Sequence, residues 1–399
     1  MSVTVGERIT RIGGEAKLYI RCDGDTVLYG LFICEAPVRG FEKLLVGKNP
    51  FFAVEASMRI CGICHTSHGI ACCEAIEHAI GIYPPRDGLL LREACGILNR
   101  IQSHILHQFL ILNDFFKKEF KKILLKNLFK ALEFCNRLLS RIGGAPTHPP
   151  NITIGGLMKG VPEARMGDIQ RDLGELEKLV REYVREFFLD DDKLSNKVDI
   201  LREYNLELGK VASHMFYGDR FNINVEEVSV VHPMDLIENP ISEELRGILA
   251  KSSALCALYR GKKVEVGPRS RMTIYRGFKG STLYDLQRAR VLEMELNIER
   301  LKEIFNEVDL SAPVRTGEIP LRKGSGIGVF EAPRGTLIHK VKLDDTGHIE
   351  SYKVIVPTMF NIPVIGEAVR GIPKSMASVI PRLFDPCIPC AVHMVEVRT

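Results

Sequence analysis

The sequence predicts a mainly α, α+β fold, a bundle of long helices flanked by small mixed sheets. Three observations carry this expectation. From Leu90 to Ile142, apolar residues recur at helical spacing over a stretch too long for one ordinary helix. Two further stretches, Pro162 to Leu189 and Tyr284 to Val308, repeat that period. Strand-like runs gather near the two ends of the chain.

The elements follow in order. Ala16 to Arg21 and Thr26 to Leu31 read as a hairpin turned at Cys22-Asp23-Gly24-Asp25. Phe51 to Gly81 is helical, interrupted at Cys61-Gly62-Ile63-Cys64, and Pro84-Pro85 breaks the chain. Leu90 to Ile142 supplies two or three long helices, the last stopped by Gly143-Gly144. Pro162 to Leu189 is more charged and is expected to face solvent, whereas Asn222 to Gly277 is mixed and assigns nothing. Beyond the helix at Tyr284 to Val308, short strands at Thr336 to Leu343 and His348 to Val356 alternate with proline-rich loops. With no repeat, low-complexity run or linker, one domain is expected over 1–399. It comprises an N-terminal sheet (1–50), a helical core (51–310), a C-terminal sheet and cysteine loop (311–393) and a short tail (394–399).

Composition narrows the function. The chain has 399 residues, 45% hydrophobic, enough for a large core. A net charge of +4 points to neither nucleic acid nor a membrane surface. The start, MSVTVGERITRIGG, lacks the basic and apolar pattern of a signal peptide, and no stretch approaches the roughly 20 apolar residues of a membrane span. A cytoplasmic location is expected, where thiols stay reduced.

That reading bears on eleven cysteines. Cys22, Cys34, Cys72, Cys73, Cys95, Cys135 and Cys256 read as small buried hydrophobes. Four others form two Cys-x-x-Cys pairs, Cys61 with Cys64 and Cys387 with Cys390. Two intervening residues let both thiolates of a pair reach one metal while backbone N–H groups turn toward the sulfurs. Four thiolates favour zinc, an iron–sulfur centre or another soft transition metal. A zinc ribbon closes over roughly 15–20 residues, whereas these pairs lie at opposite ends of the chain. A chain of this size needs no zinc staple. Arg59 and His68, beside the first pair, are the kind of charge and hydrogen-bond donor that tune a redox site.

The motif Arg59-Ile60-Cys61-Gly62-Ile63-Cys64-x-x-x-His68, with Asp385-Pro386-Cys387-Ile388-Pro389-Cys390-x-x-His393, resembles the large, catalytic subunit of nickel–iron hydrogenases. The resemblance extends through Arg39-Gly40-Phe41-Glu42, Gly143-Gly144 with His148-Pro149, Glu331-Ala332-Pro333-Arg334-Gly335 and Val356-Pro357-Thr358-Met359-Phe360-Asn361. It implies the large-subunit fold shared with the 49-kDa-type subunits of respiratory complex I. It also implies a Ni–Fe(CN)2(CO) centre on Cys61, Cys64, Cys387 and Cys390. Cys64 and Cys390 would bridge to iron, Cys61 and Cys387 would be terminal, and Cys387 would accept the proton when H2 is split heterolytically. Arg334 would polarise hydrogen, paired with Asp385, while Ala332 and Pro333 would line the pocket of the iron's diatomic ligands. A second site for Mg (or Fe) would use Glu42, His393 and the carbonyl of Val354.

One departure concerns protons. Family members usually read Thr-Arg-Ile-Glu-Gly-His near the start, where this chain reads Thr10-Arg11-Ile12-Gly13-Gly14-Glu15. In a strand a shift of two keeps the face at a cost of about 7 Å of reach, so Glu15 is expected to replace the missing carboxylate.

The short length and Cys64-His65-Thr66-Ser67-His68-Gly69 most resemble the cytoplasmic archaeal hydrogenases that reduce coenzyme F-420. Such a chain works with an iron–sulfur small subunit and a flavin subunit that binds F-420. Its spare cysteines are too few and wrongly spaced for an iron–sulfur cluster of its own, and no Gly-x-Gly-x-x-Gly marks a flavin or nicotinamide site. A maturation endopeptidase would cut after His393. Alternatives are a nicotinamide- or sulfur-reducing or an energy-converting hydrogenase and, from another class, a zinc or scaffold protein.

Overall fold

A three-stranded antiparallel sheet, a helical bundle and a second three-stranded antiparallel sheet follow one another along the chain in the computed structural model, which describes residues 4–188, 191–237 and 242–393. The first sheet holds β1 (Thr4–Ile12), β2 (Gly14–Asp23) and β3 (Thr26–Ile33) in sequence order. The predicted hairpin is β2–β3, and a third strand precedes it. The β1–β2 pairing slips between Ile9 and Ile12, and Gly14 sits at φ 99°, so the chain turns at Gly13-Gly14 rather than running straight.

The bundle begins with α1 (Pro50–Met58), started by Asn49, whose side chain accepts from Phe51 N at 2.9 Å, with Pro50 in the first turn. The cysteine pair 61/64 fills the gap to α2 (His65–Ile80), which Gly81 ends at φ 70°. Two long helices follow, α3 (Arg86–Phe115) and α4 (Lys118–Gly143), with a break at Phe116-Lys117. α5 (Met166–Phe188) packs on α4. Most of its charge faces outward, but Ile169, Leu173, Leu176, Val180, Tyr183 and Phe187 bury the other side together with Asp172, so it is amphipathic rather than simply solvent-facing. α6 (Asp285–Glu307) packs against α3 and α5 and closes the bundle.

The second sheet has β4 (Gly324–Ala332), β5 (Gly335–Leu343) and β6 (Ile349–Ile355). Sequence patterning leaves out β4, because Gly324, Gly326 and Gly328 lie within it and glycine is depleted in strands. The structure supplies the reason they are there. A Cβ at these positions would stand 1.9, 2.0 and 2.1 Å from the carbonyl oxygens of Ala79, Ala75 and Ala71. The glycine face of the strand therefore lets α2 lie directly on the sheet along Ala71, Ala75 and Ala79. α7 (Pro357–Ala368) and α8 (Ile388–Ala391) follow, and α8 sits against β2. No helix among the described residues is long and apolar enough to cross a membrane. Residues 394–399, the tail expected to be cut away, lie outside the described residues.

Candidate metal centre

Four buried sulfurs converge where α2 begins and α8 begins. Cys64 is the residue preceding α2, and Cys387 the one preceding α8. Cys61 Sγ lies 3.3 Å from Cys387 Sγ, Cys64 Sγ 3.4 Å from Cys390 Sγ, and Cys387 Sγ 3.0 Å from Cys390 Sγ. All four fall within 4.8 Å of one another, close to the roughly 4.6 Å spanned by two metal–sulfur bonds of about 2.3 Å. Backbone N–H groups of Ile63 and Cys64 point at Cys61 Sγ, at 3.2 and 3.4 Å, and Cys387 N donates to Thr358 Oγ1 at 3.0 Å. Hydrogen bonds from Cys387, Cys390 and Cys64 hold the Cys61 thiol well below its ordinary range, whereas Cys64 and Cys390 are pushed up. The donor set of four cysteine sulfurs fits a soft transition metal.

Cationic charge is fixed above the sulfurs. Cys64, His68, Ala332, Arg334, Leu337, Pro357, Thr358, Cys387 and Cys390 enclose a small, largely apolar cavity. Arg334 is buried, yet Asp385 and the cysteines outweigh the burial that disfavours its charge and hold it protonated. Its Nη2 donates to Asp385 Oδ1 at 3.0 Å, and Asp385 Oδ2 accepts from Arg290 Nη1 at 3.3 Å. Burial pushes the Asp385 carboxyl up, against the pull of both arginines. Arg271 fixes the loop that carries Arg334: it donates to Ala332 O at 2.9 Å and Pro333 O at 3.2 Å while pairing with Glu293 and Glu331.

The expected residues largely meet. His68 Nε2 lies 3.5 Å from Cys390 Sγ. Ala332 lines the cavity, while Pro333 presents its carbonyl to Arg271. At the second site Glu42 Oε1 accepts from Val354 N at 2.7 Å, and His393 Nε2 lies 2.9 Å from Val354 O and 3.6 Å from Glu42 Oε1. Those three groups bring a carboxylate, a carbonyl and an imidazole together, the first two being oxygen donors of the kind a hard cation takes.

Two expected residues lie elsewhere. Arg59 ends α1 and is exposed; its Nη1 reaches back to Glu55 O at 3.4 Å, where a cation meets the negative helix end. Glu15 is exposed and ion-paired with Arg8, because the turn at Gly14 sends β2 outward past the cysteine loop. It is Gly13 that reaches the site, and the expectation that Glu15 serves there is not supported by its position.

Other residues were not singled out by sequence. Arg39 donates to Arg59 O at 3.0 Å and Pro389 O at 3.4 Å and also reaches Ile60 O, so one guanidinium ties both cysteine loops together. Its Arg-Gly-Phe-Glu motif was visible, but its partners are carbonyls, which leave no trace in sequence. Arg271 and Glu293, from a mixed region and a helix face, are legible only as buried partners once folded.

A helical bundle with four converging cysteine sulfurs under an arginine is the arrangement of the large, metal-bearing subunit of a hydrogenase. The chain belongs to the nickel-dependent hydrogenase family, whose model matches residues 39–117 and 273–371. The coenzyme F-420 hydrogenase subunit alpha of Methanocaldococcus jannaschii is 36% identical over 97% of this chain and 92% of its own length. The subunit of that name from Methanothermobacter thermautotrophicus is 32% identical over 97% of this chain and 94% of its own. Among solved structures, the reduced, active Ni-Fe-Se hydrogenase from Desulfomicrobium baculatum superposes with a TM-score of 0.84 at 21% identity, covering 98% of this chain and 100% of that one. The fold is therefore that of the hydrogenase large subunit, and the chain is a catalytic large subunit acting on H2.

Proposed function

We propose that this subunit catalyses reversible heterolytic cleavage of H2 in the cytoplasm and passes the electrons through an iron–sulfur small subunit to a flavin subunit that reduces coenzyme F-420. The observation that carries the reading is the set of four buried sulfurs beneath Arg334, joined to two F-420 hydrogenase relatives that align over nearly the whole chain. Bound by Cys61, Cys64, Cys387 and Cys390, a Ni–Fe(CN)2(CO) group supplies the redox and Lewis-acid chemistry that cleavage needs.

The chain's own residues do the rest. Arg334, its charge fixed by Asp385, stands over the cavity as a preorganised cation that costs no reorganisation when charge separates. Cys387 holds the proton released from hydrogen. Ala332 and Leu337 keep the cavity wall apolar and water out. Glu42, His393 and the Val354 carbonyl hold a Mg (or Fe) ion that ties the C-terminal turn to the second sheet. Electrons leave through partners, because the spare cysteines are too few and wrongly spaced for an iron–sulfur cluster of this chain's own. Purified complex supplied with H2 is expected to reduce F-420 faster than NAD(P) or sulfur; the reverse order would replace this acceptor with one of those.

A further inference from the structure

A hydrogen-bonded chain runs from the Cys390 sulfur into the second sheet. His68 Nε2 lies 3.5 Å from Cys390 Sγ, His68 Nδ1 lies 3.1 Å from His339 Nε2, and His339 Nδ1 lies 2.6 Å from the Tyr352 hydroxyl. The three side chains come from α2, β5 and β6, and all are buried. No part of the proposed H2 chemistry uses His339 or Tyr352.

Each link needs one donor and one acceptor. A neutral imidazole carries one ring proton, so one nitrogen gives while the other takes. Two arrangements satisfy all three links: every proton points toward the sulfur, or every proton points away from it. The outward arrangement requires Cys390 to donate an S–H to His68. A cysteine that ligates a metal is a thiolate and has no proton to give. Outward orientation would then set the His68 lone pair against the sulfur lone pairs. Inward orientation instead satisfies every link, with Tyr352 O–H donating to His339 Nδ1, His339 Nε2–H to His68 Nδ1, and His68 Nε2–H to the sulfur.

We infer that Tyr352 and His339 are positioning residues that fix His68 with its proton on Nε2, so that the Cys390 sulfur receives an N–H when the four cysteines hold metal. The inference rests on reading those cysteines as metal ligands. Tyr352 can head the chain because the His339 nitrogen is its better acceptor. The Cys72 side chain lies at the same hydroxyl, but a thiol sulfur accepts weakly, and burial keeps Cys72 protonated, pushed up to about 12. Both rings are buried, and burial holds His339 well below its ordinary value. An N–H donated to a metal-bound sulfur draws charge from it, which is how groups around a thiolate tune a redox centre.

Nitrogen-15 NMR of the full chain, labelled at histidine and loaded with zinc(II) as a diamagnetic probe, reads which ring nitrogen holds each proton. His68→Gln and His339→Gln assign the signals. The expected result is Nε2–H on both rings, with Tyr352→Phe moving the His339 Nδ1 resonance toward that of a free acceptor nitrogen. Zinc bound but Nδ1–H on either ring of the unmutated chain overturns the inference, whether or not the variants fold. So does a His339 Nδ1 resonance unmoved in folded Tyr352→Phe. A chain that takes up no zinc fails the metal reading itself.

Discussion

Gly13 is held against Cys387 by a pair of backbone hydrogen bonds. Gly13 N donates to Pro386 O at 3.1 Å, and Ile388 N donates to Gly13 O at 2.7 Å. A Cβ on residue 13 would stand 3.7 Å from Cys387 Sγ, so this backbone position is where a side chain would face that sulfur. Glu15, two residues on, is at the surface with Arg8. Glu15→Gln is therefore expected to leave hydrogen–deuterium exchange within about twofold of the unmutated enzyme, because an exposed, solvent-screened ion pair contributes little. A severe loss would restore Glu15 as the relay. Gly13→Ala, whose Cβ would meet Pro386 O at 3.2 Å, is expected to cost about 1–3 kcal/mol of stability by overpacking, read from urea unfolding.

Arg334→Lys keeps the charge but not the planar fork that engages Asp385. Losing one preorganised donor at a reacting centre costs about 10²–10³ in rate. Exchange activity is expected to fall by that order while metal content stays unchanged. A variant at full activity would show that charge alone suffices.

Arg271 is fully buried and paired with both Glu293 and Glu331. Arg271→Met leaves two carboxylates short of their partner, and breaking a buried pair costs about 3–5 kcal/mol. Adding Glu293→Gln should recover part of that loss, because the two residues share one network. Urea denaturation of the single and double variants measures it.

Burial holds the His104 imidazole down at about 3 in the folded chain, despite its contact with Glu293. Unfolded, it titrates near 6.5. The unfolded chain thus takes up the proton first as pH falls. The stability this neutral ring contributes is present in full above about 6.5 and is lost progressively toward about 3, at about 1.4 kcal/mol per pH unit inside that window. His104→Gln is expected to flatten the pH slope of unfolding free energy between about pH 6 and 4 by that amount; an unaltered slope would place His104 in a different protonation state.

Much of this molecule was legible before folding. Periodicity located the long helices, and the paired cysteines with Arg334, Asp385, Glu42 and His393 came from motifs whose members do meet. What escaped has physical causes. β4 is hidden because its glycines serve the approach of α2, not strand propensity. Arg59 turns back to a helix end, while Arg39, which clasps the cysteine loops, works through carbonyls. Glu15 was misplaced because period-two reasoning assumes a straight strand, and Gly14 turns this one. His339 and Tyr352 are far from the cysteine motifs in sequence and join them only through the β5–β6 pairing.

The central claim is that four cysteines from opposite ends of the chain hold one nickel–iron centre. Metal analysis of the anaerobically purified large subunit, separated from its partners, tests it most directly. With Mg at the second site, nickel and iron are expected in equal amounts, and nickel is lost in Cys61→Ser. Zinc alone, or nickel retained without Cys61, would contradict it.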